Sequence, residues 1–335
     1  MKKYFVFFLL LINFFNVLLF AQNPPFNGNG DGTVGNPFQL WTKDHLIELY
    51  DSSYSDRFKG VSLYWHLYKH FRFMQDIEDV SQGIGYISFR DAHFYGNWKK
   101  LTANTANMET ALLGLTNSTL DSLIVDGHIK YSLASLASRY AMPPLPPPIV
   151  SHCINNATVT TDSAFLAYEW HHYPAAGIAN SNSGIISHCI NNGSVSGVDR
   201  IGGVAAGNNG EIISCINTGK ITASNSGTNT NIVGQPTPNN GVGGIAATTN
   251  NTALGILNSI NIGSVEGQGF VGGIMGCIIG ASIVNSINSG YIKGERAVGG
   301  IVGYMFNFDV NISNCLNTGV IEGDEDVGAI VGKEP

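Results

Sequence analysis

A short phrase that recurs along the chain limits the possible fold more than any other feature of the sequence. The phrase reads SHCINNATV at 151–159, SHCINNGSV at 187–195, ISCINTGKI at 213–221 and SNCLNTGVI at 313–321. Recurrence of one apolar-polar phrase at spacings of this order is typical of repeat architectures, in which each copy is one structural unit.

Seven copies can be aligned, and three of their columns hold only Ile, Leu or Val. The first column contains Leu120, Val150, Ile186, Ile212, Ile256, Ile283 and Ile312. The second contains Ile124, Ile154, Ile190, Ile216, Ile260, Ile287 and Leu316. The third contains Ile129, Val159, Val195, Ile221, Val265, Ile292 and Ile321. Most copies from the third onward follow a Gly-Gly phrase, such as IGGVAAG at 201–207 or VGGIMG at 271–276.

These columns predict an all-β fold, a right-handed parallel β-helix of about 27 residues per coil. Each copy is three short β-branched runs separated by Gly, Asn or Ser turns, and no single copy can bury its own aliphatic face. Coils stacked about 4.8 Å apart would bury each column continuously, and parallel crossovers favour the right-handed coil. We expect all three aliphatic columns to lie in the core.

Two polar columns leave alternatives open. Strict alternation would send the column of Ser122, His152, His188, Ser214, Asn258, Asn285 and Asn314 inward, whereas a bend or bulge would turn it outward. Cys153, Cys189 and Cys215 fall in one column on consecutive coils. Stacked Cβ atoms are poorly placed for a disulfide, so we expect free thiols there and at Cys277, although one bond between neighbours stays possible in principle.

The chain divides into three regions. Residues 1–21 have the two lysines, apolar run and small residue of a signal peptide, which predicts a secreted or cell-surface protein, the alternative being an uncleaved membrane anchor. Residues 22–116 are expected to hold a leader, a short capping helix after Thr42 and irregular first coils. Residues 117–335 form the seven-copy solenoid, which ends abruptly and suggests a truncated reading frame or an exposed last coil.

The repeats also resemble a known family. VGGIVGY followed by ISNCLNTGVIEG is similar to the GLUG-motif repeats of bacterial secreted and surface proteins, including the repeat regions of immunoglobulin A peptidases. Upstream, GNGDGTVGNPFQLWTKDHLIELYD is similar to the opening of such domains, HFRFMQDIED to one of their coils, and HFYGNW to their F-x-G-x-F-D-G-N motif. The resemblance implies a right-handed β-helix at or outside the cell surface. It implies no enzyme, because the peptidases carry their chemistry elsewhere in the chain.

Candidate binding residues lie in an insertion at 161–174, after the third run of one coil. The insertion carries Phe165, Tyr168, Trp170, His171, His172 and Tyr173. Aromatic faces beside polar tips can stack on a sugar ring or a peptide side chain, the alternative being a loop folded over the coil. A second insertion, at about 223–240, occupies the same corner, and insertions that share a corner line one edge of a solenoid.

Three functions are compatible with these features. The first is an adhesin-like module that binds a glycan or an extracellular or host protein, and the second is a structural spacer or a fragment of a larger surface protein. The third, a carbohydrate-active enzyme, is the least favoured, because no coil offers two carboxylates facing each other across a groove. We expect no catalytic residues, metal or cofactor. A net charge of −7 with 17 basic residues argues against a nucleic-acid partner, and nothing beyond the signal peptide indicates a membrane.

Overall fold

The protein is a parallel β-solenoid. The structure, a computed structural model, describes residues 29–49, 68–80, 87–104, 111–137, 146–161, 174–224, 240–249, 255–307 and 309–335. In these residues, strands pair in parallel with the equivalent strands of neighbouring coils and form three sheets around one continuous core. The predicted fold class is therefore confirmed. The proposed signal peptide, residues 1–21, lies outside the described residues.

The three sheets differ in the number of strands that the described residues contribute. The broad sheet has 23: Phe38–Leu40, His70–Phe73, Ile77–Val80, His93–Asn104, Thr119–Lys130, Ile149–Ser151, Ile154–Asn155, Thr158–Thr160, Ile185–Ser187, Ile190–Asn191, Val195–Gly197, Glu211–Ile213, Ile216–Asn217, Ile221–Ala223, Ile256–Leu257, Ile260–Asn261, Val265–Glu266, Ser282–Val284, Ile287–Asn288, Ile292–Lys293, Asn311–Ser313, Leu316–Asn317 and Ile321–Glu322. The six-stranded sheet contains Ala175–Ala176, Ile201–Gly202, Val242–Gly243, Gly269–Gly272, Arg296–Gly299 and Glu325–Gly328. The nine-stranded sheet contains Ile87–Arg90, Leu113–Thr116, Ala134–Ala137, Ala179–Asn182, Ala205–Asn208, Ala246–Thr249, Met275–Ile278, Val302–Met305 and Val331–Lys333.

One coil consists of five short strands rather than the three runs expected from the sequence. In the coil at 185–208, the first run is broken at His188, whose φ is 54°. The Gly-Gly run is broken at Gly203, where a Cβ atom would collide with the carbonyl oxygen of Gly244 and with the side chain of Asn217. The break at His188 separates two strands of the broad sheet, and the break at Gly203 separates a strand of the six-stranded sheet from one of the nine-stranded sheet. From Ile149 onward each coil contributes strands to all three sheets, whereas the described earlier coils contribute to the broad and nine-stranded sheets only.

The prediction that all three aliphatic columns are buried is wrong for the second column. The first and third columns are fully buried, apart from Ile312 and Ile321 in the last coil, which are partly buried. The second column is only half-buried, and its last two members, Ile287 and Leu316, are 36% and 51% exposed. Its place in the core is taken by the cysteine column beside it, in which Cys153, Cys189 and Cys215 are completely buried.

A left-handed backbone conformation at the preceding corner causes this change of side. All seven residues of the column that alternation left ambiguous have φ between 51° and 57°: Ser122, His152, His188, Ser214, Asn258, Asn285 and Asn314. The corner inserts one extra residue into the alternation, so two residues rather than one separate the first buried position from the next. Histidines 152 and 188 and the three asparagines of this column face solvent, as the bulge alternative required, whereas Ser214 is half-buried and Ser122 is buried. The five cysteines are free, as expected.

A short helix and the last coil mark the two ends of the described solenoid. The helix covers residues 43–49 and follows Thr42, whose Oγ1 accepts a hydrogen bond of 3.4 Å from the backbone N–H of His45. Its Leu46 and Leu49 are buried in the continuous core. In the last coil the apolar side chains are more exposed, as at Val327, which is 46% accessible.

Candidate functional site

The aromatic residues that the sequence suggested as a binding surface are not placed by the structure. Phe165, Tyr168, Trp170, His171, His172 and Tyr173 all fall within 162–173, outside the described residues. The strands that flank this insertion, Thr158–Thr160 and Ala175–Ala176, belong to the broad and six-stranded sheets. The second insertion likewise separates Ile221–Ala223 from Val242–Gly243, so both insertions leave the same corner. Their role in binding stays a prediction.

The described residues instead contain an open cleft near the N-terminal end of the broad sheet. It has a volume of about 440 Å³ and is lined by Arg72, Tyr95, Asn97, Trp98, Asp121 and Ser122. The strand register places Arg72 opposite Tyr95, and Tyr95 opposite Asp121. A cation, an aromatic ring and a carboxylate therefore occupy one outward column on three consecutive coils.

Trp98 reaches the cleft because its strand is bulged. Tyr95 pairs with Asp121 and Lys99 pairs with Leu123, so three residues of one strand oppose Ser122 alone. Asn97 and Trp98 both have a left-handed backbone, with φ of 55° and 54°. Bulges of this kind re-aim side chains and are over-represented beside functional sites. Here the bulge turns the indole outward, where it is 56% exposed.

Arg72 lies over an aromatic ring. Its guanidinium carbon lies 5.5 Å from the centre of the Tyr95 ring, the geometry of a cation–π contact. The hydroxyl of Tyr95 lies 3.0 Å from Nδ1 of His70, which fixes the ring in turn. Arg72 is half-buried and has no ion-pair partner among the residues that the structure describes.

Asp121 is surrounded by donors on its own side of the cleft. The Ser122 hydroxyl donates to Oδ2 at 2.6 Å, the Ser151 hydroxyl donates to Oδ1 at 2.6 Å, and Nδ1 of His152 lies 2.9 Å from Oδ1. Partial burial raises the pKa of Asp121, but the three hydrogen bonds together outweigh it, so the pKa lies below its ordinary value. The carboxylate is therefore ionised at neutral pH and retains lone pairs for a ligand.

Two imidazoles extend the site along the next coils. The rings of His152 and His188 stack with centres 5.0 Å apart and planes inclined by 12°. The indole of Trp98 meets His152 edge-on at 6.5 Å between ring centres. The outward face thus presents aromatic surface from Tyr95 to His188, interrupted by the carboxylate of Asp121.

Neither a metal site nor a membrane-spanning helix is found in the described parts of the chain. No three His, Cys, Asp or Glu side chains there come close enough together to hold a metal ion. No helix within those parts has the length and apolar character needed to cross a bilayer.

Comparison with known proteins supports the fold. No protein-family model and no curated protein sequence matches the chain. A crystal structure from Bacteroides ovatus, described as a "putative immunoglobulin A1 protease", is similar over 91% of this chain and 87% of its own. The TM-score is 0.50 and the sequence identity is 16%. The two chains share a fold. This agrees with the resemblance to repeats found in immunoglobulin A peptidases, whereas membership of the GLUG-motif proteins stays a prediction.

The sequence patterns did not single out the residues that line this cleft. The phrase HFYGNW was noted only for its resemblance to a repeat family, although a Gly-Asn pair inside a β-branched and aromatic run is a recognisable signal of a bulge. Arg72, Tyr95 and Asp121 are separated by 23 and 26 residues, and no local pattern connects them. Only the register between coils brings them together.

Proposed function

We propose that this protein is an exported, adhesin-like β-solenoid that binds a carbohydrate in the cleft of Arg72, Tyr95, Trp98 and Asp121. The observation that carries the proposal is the exposed indole of Trp98, turned outward by a bulge beside a charged and aromatic column. A large aromatic side chain held out of the core in a cleft has a hydrophobic face to offer to a ligand.

The chemistry of the cleft suits a sugar better than a purely apolar ligand. Pyranose rings present C–H groups on one face, which pack on aromatic rings such as those of Trp98 and Tyr95, and hydroxyl groups at the rim. The carboxylate of Asp121 and the amide of Asn97 can hydrogen-bond such hydroxyls. A small number of polar groups that converge on an aromatic surface is the usual composition of a small-molecule site.

Binding without catalysis is part of the proposal. Glycoside hydrolases use two carboxyl groups placed on either side of the scissile bond. Asp121 is the one carboxylate among the described residues that line the cleft. Export rests on the apolar segment at residues 1–21, and the adhesin-like role rests on export together with the cleft.

The proposal is tested with purified residues 22–335 on a glycan array, followed by calorimetry with the best ligand. We expect Trp98→Ala to weaken binding at least tenfold, because it removes the stacking surface. Phe306→Ala, which truncates a 39% exposed aromatic residue beyond the nine-stranded sheet, is the matched control and should bind normally. Circular dichroism checks that each variant is folded.

A third variant, in which 162–173 is replaced by a short Gly-Ser turn, separates the cleft from the insertion. Loss of binding in this variant but not in Trp98→Ala would move the site to the insertion and overturn the assignment of the cleft. Absence of any binding by the folded parent would favour the alternative, a structural spacer or a fragment of a larger surface protein.

A further inference from the structure

We infer that the ligand of the cleft is an acidic sugar, whose anionic group is bound by Arg72. This inference rests on the proposed function and specifies its ligand class. The group recognised is a carboxylate, as in uronic and sialic acids, or a sulfate ester, since both present paired oxygens to the fork of a guanidinium.

The cleft holds a cation, Arg72, that no carboxylate of the described residues neutralises. Arg72 is half-buried and held on the ring of Tyr95, and none of the residues that the structure describes forms an ion pair with it. The N–H groups of a guanidinium lie in its plane, and the contact with the Tyr95 ring pairs none of them with a carboxylate. A fixed, partly desolvated guanidinium loses little entropy when it binds an oxyanion.

Asp121 does not serve as the ion-pair partner of Arg72. Arg72 and Asp121 lie on either side of Tyr95 in one outward column, two coil steps apart, which is about 9.6 Å along the sheet. Asp121 is instead bound by Ser122, Ser151 and His152 on its own side. The charges are thus kept apart, with room between them for a sugar ring over Tyr95 and Trp98.

Because the two charges are separated, the ligand would bind in one orientation. The anionic group would bind at Arg72, the ring would pack on the aromatic surface, and a hydroxyl group would donate to Asp121. A neutral sugar would leave the guanidinium unpaired in a partly buried site, and a cationic ligand would be repelled by it. The arrangement therefore favours an acidic sugar over its neutral counterpart of the same shape.

Matched pairs of probes test the inference by calorimetry. The pairs are trigalacturonate and its methyl ester, sialyllactose and lactose, and a sulfated chondroitin disaccharide and its desulfated form. We expect the acidic member of at least one pair to bind tenfold or more tightly than the neutral member. Which pair responds distinguishes a carboxylate from a sulfate.

Variants then assign the preference to one residue. Arg72→Gln should remove the difference between acidic and neutral members, and Arg72→Lys should restore part of it. Lys220→Gln is the control: it removes one positive charge from a surface ion pair with Glu266, at 2.8 Å, on a later coil. It should leave the preference unchanged.

The outcomes separate this inference from the proposed function. Equal binding of acidic and neutral members, or equal effects of Arg72→Gln and Lys220→Gln, would overturn the inference. If neutral sugars bind and depend on Trp98 but not on Arg72, the proposed function stands and the inference falls. If no probe binds to the folded parent, the inference falls, and the glycan array alone decides the proposed function.

Discussion

At the scale of single residues, a ladder of buried asparagines distinguishes this solenoid from a purely aliphatic stack. Along the described coils, hydrogen bonds of 2.7–2.8 Å from Nδ2 to Oδ1 connect Asn155, Asn191, Asn217, Asn261, Asn288 and Asn317 in order. The second N–H of each amide donates to the carbonyl two residues later, at 2.9–3.2 Å. Both N–H groups of the five amides from Asn155 to Asn288 are satisfied, which is why such polar side chains can be buried at all, whereas the half-buried Asn317 ends the ladder as an acceptor.

Breaking the ladder should therefore be costly. We expect Asn191→Ala to lower the free energy of unfolding by about 2–4 kcal/mol, because the amide of Asn155 loses its acceptor and Asn217 loses its donor inside the protein. Urea unfolding followed by circular dichroism measures the change.

The adjacent residue provides a control of the same type. Asn192 is exposed and donates to Asn156 at 2.9 Å on the outer surface, so Asn192→Ala should cost less than about 1 kcal/mol. Similar losses in the two variants would show that the ladder adds no stability beyond an exposed hydrogen bond.

At the scale of the strand, the corner at His188 and its equivalents decides which side chains are buried. Cys189 follows the corner and points inward, and Ile190 points outward. His, Ser and Asn fill this corner, and short polar side chains tolerate the left-handed conformation better than β-branched ones. The thiol of Cys189 is completely buried, and burial raises its pKa well above the ordinary value. Such a thiol is unreactive.

A matched pair of isoleucines tests which aliphatic column faces the core and which faces outward. Ile212 is fully buried between Ile186 and Ile256, so Ile212→Ala should lower the free energy of unfolding by about 2–5 kcal/mol. Ile216 faces outward and is half-buried, so Ile216→Ala should cost about 1 kcal/mol or less. Equal losses in the free energy of unfolding would indicate that the second aliphatic column is buried in the core.

At the scale of the whole molecule, one core runs through the coils, but the two ends differ in chemistry. The N-terminal end carries the cleft and a stacked pair of imidazoles, His70 and His93, with ring centres 4.5 Å apart. Burial lowers the pKa of both, and repulsion from His93 when that ring is protonated lowers the pKa of His70 further. In a solenoid each coil contacts only its neighbours, so a local change in protonation acts first on adjacent coils.

Acidification should therefore loosen the N-terminal coils first. Because the folded protein keeps these imidazoles neutral while the unfolded chain binds protons, the free energy of unfolding falls as the pH drops below about 6.5 and continues to fall until the lowered pKa values are passed. Hydrogen exchange at pH 7 and pH 5.5, corrected for the intrinsic rate at each pH, measures the protection of each segment. The loss of protection between the two pH values should be larger in 68–80 and 87–104 than in 255–300.

Two substitutions show whether the imidazole pair causes this response. His93→Gln should reduce it, since one titrating ring is lost while a hydrogen bond to Thr119, now 2.7 Å from Nδ1, can be kept. His128→Gln, on the next coil, leaves the pair intact and should keep the response. Uniform loss of protection along all coils would contradict the prediction.

The fold could be predicted from local patterns, whereas the side chains of each strand that face the core could not. Three aliphatic columns at a repeat of about 27 residues require parallel stacking, since only stacked copies bury them. Strict alternation fails at one residue per coil, where the backbone is left-handed. This corner shifts the alternation by one residue, so the side chains after it lie on the opposite side from the one that strict alternation gives them. The left-handed conformation costs a His, Ser or Asn residue little free energy. The sequence left both alternatives open there.

What the sequence determined by itself is thus the repeat, the strand type and the parallel stack, all of which follow from periodic burial of Ile, Leu and Val. What only the tertiary structure decided is which columns face inward and where a ligand can bind. Tyr95 lies between Arg72 and Asp121 because consecutive coils pair in register, and Trp98 joins them because a bulge re-aims its strand. Residues so far apart in the chain come together only when the coils have stacked.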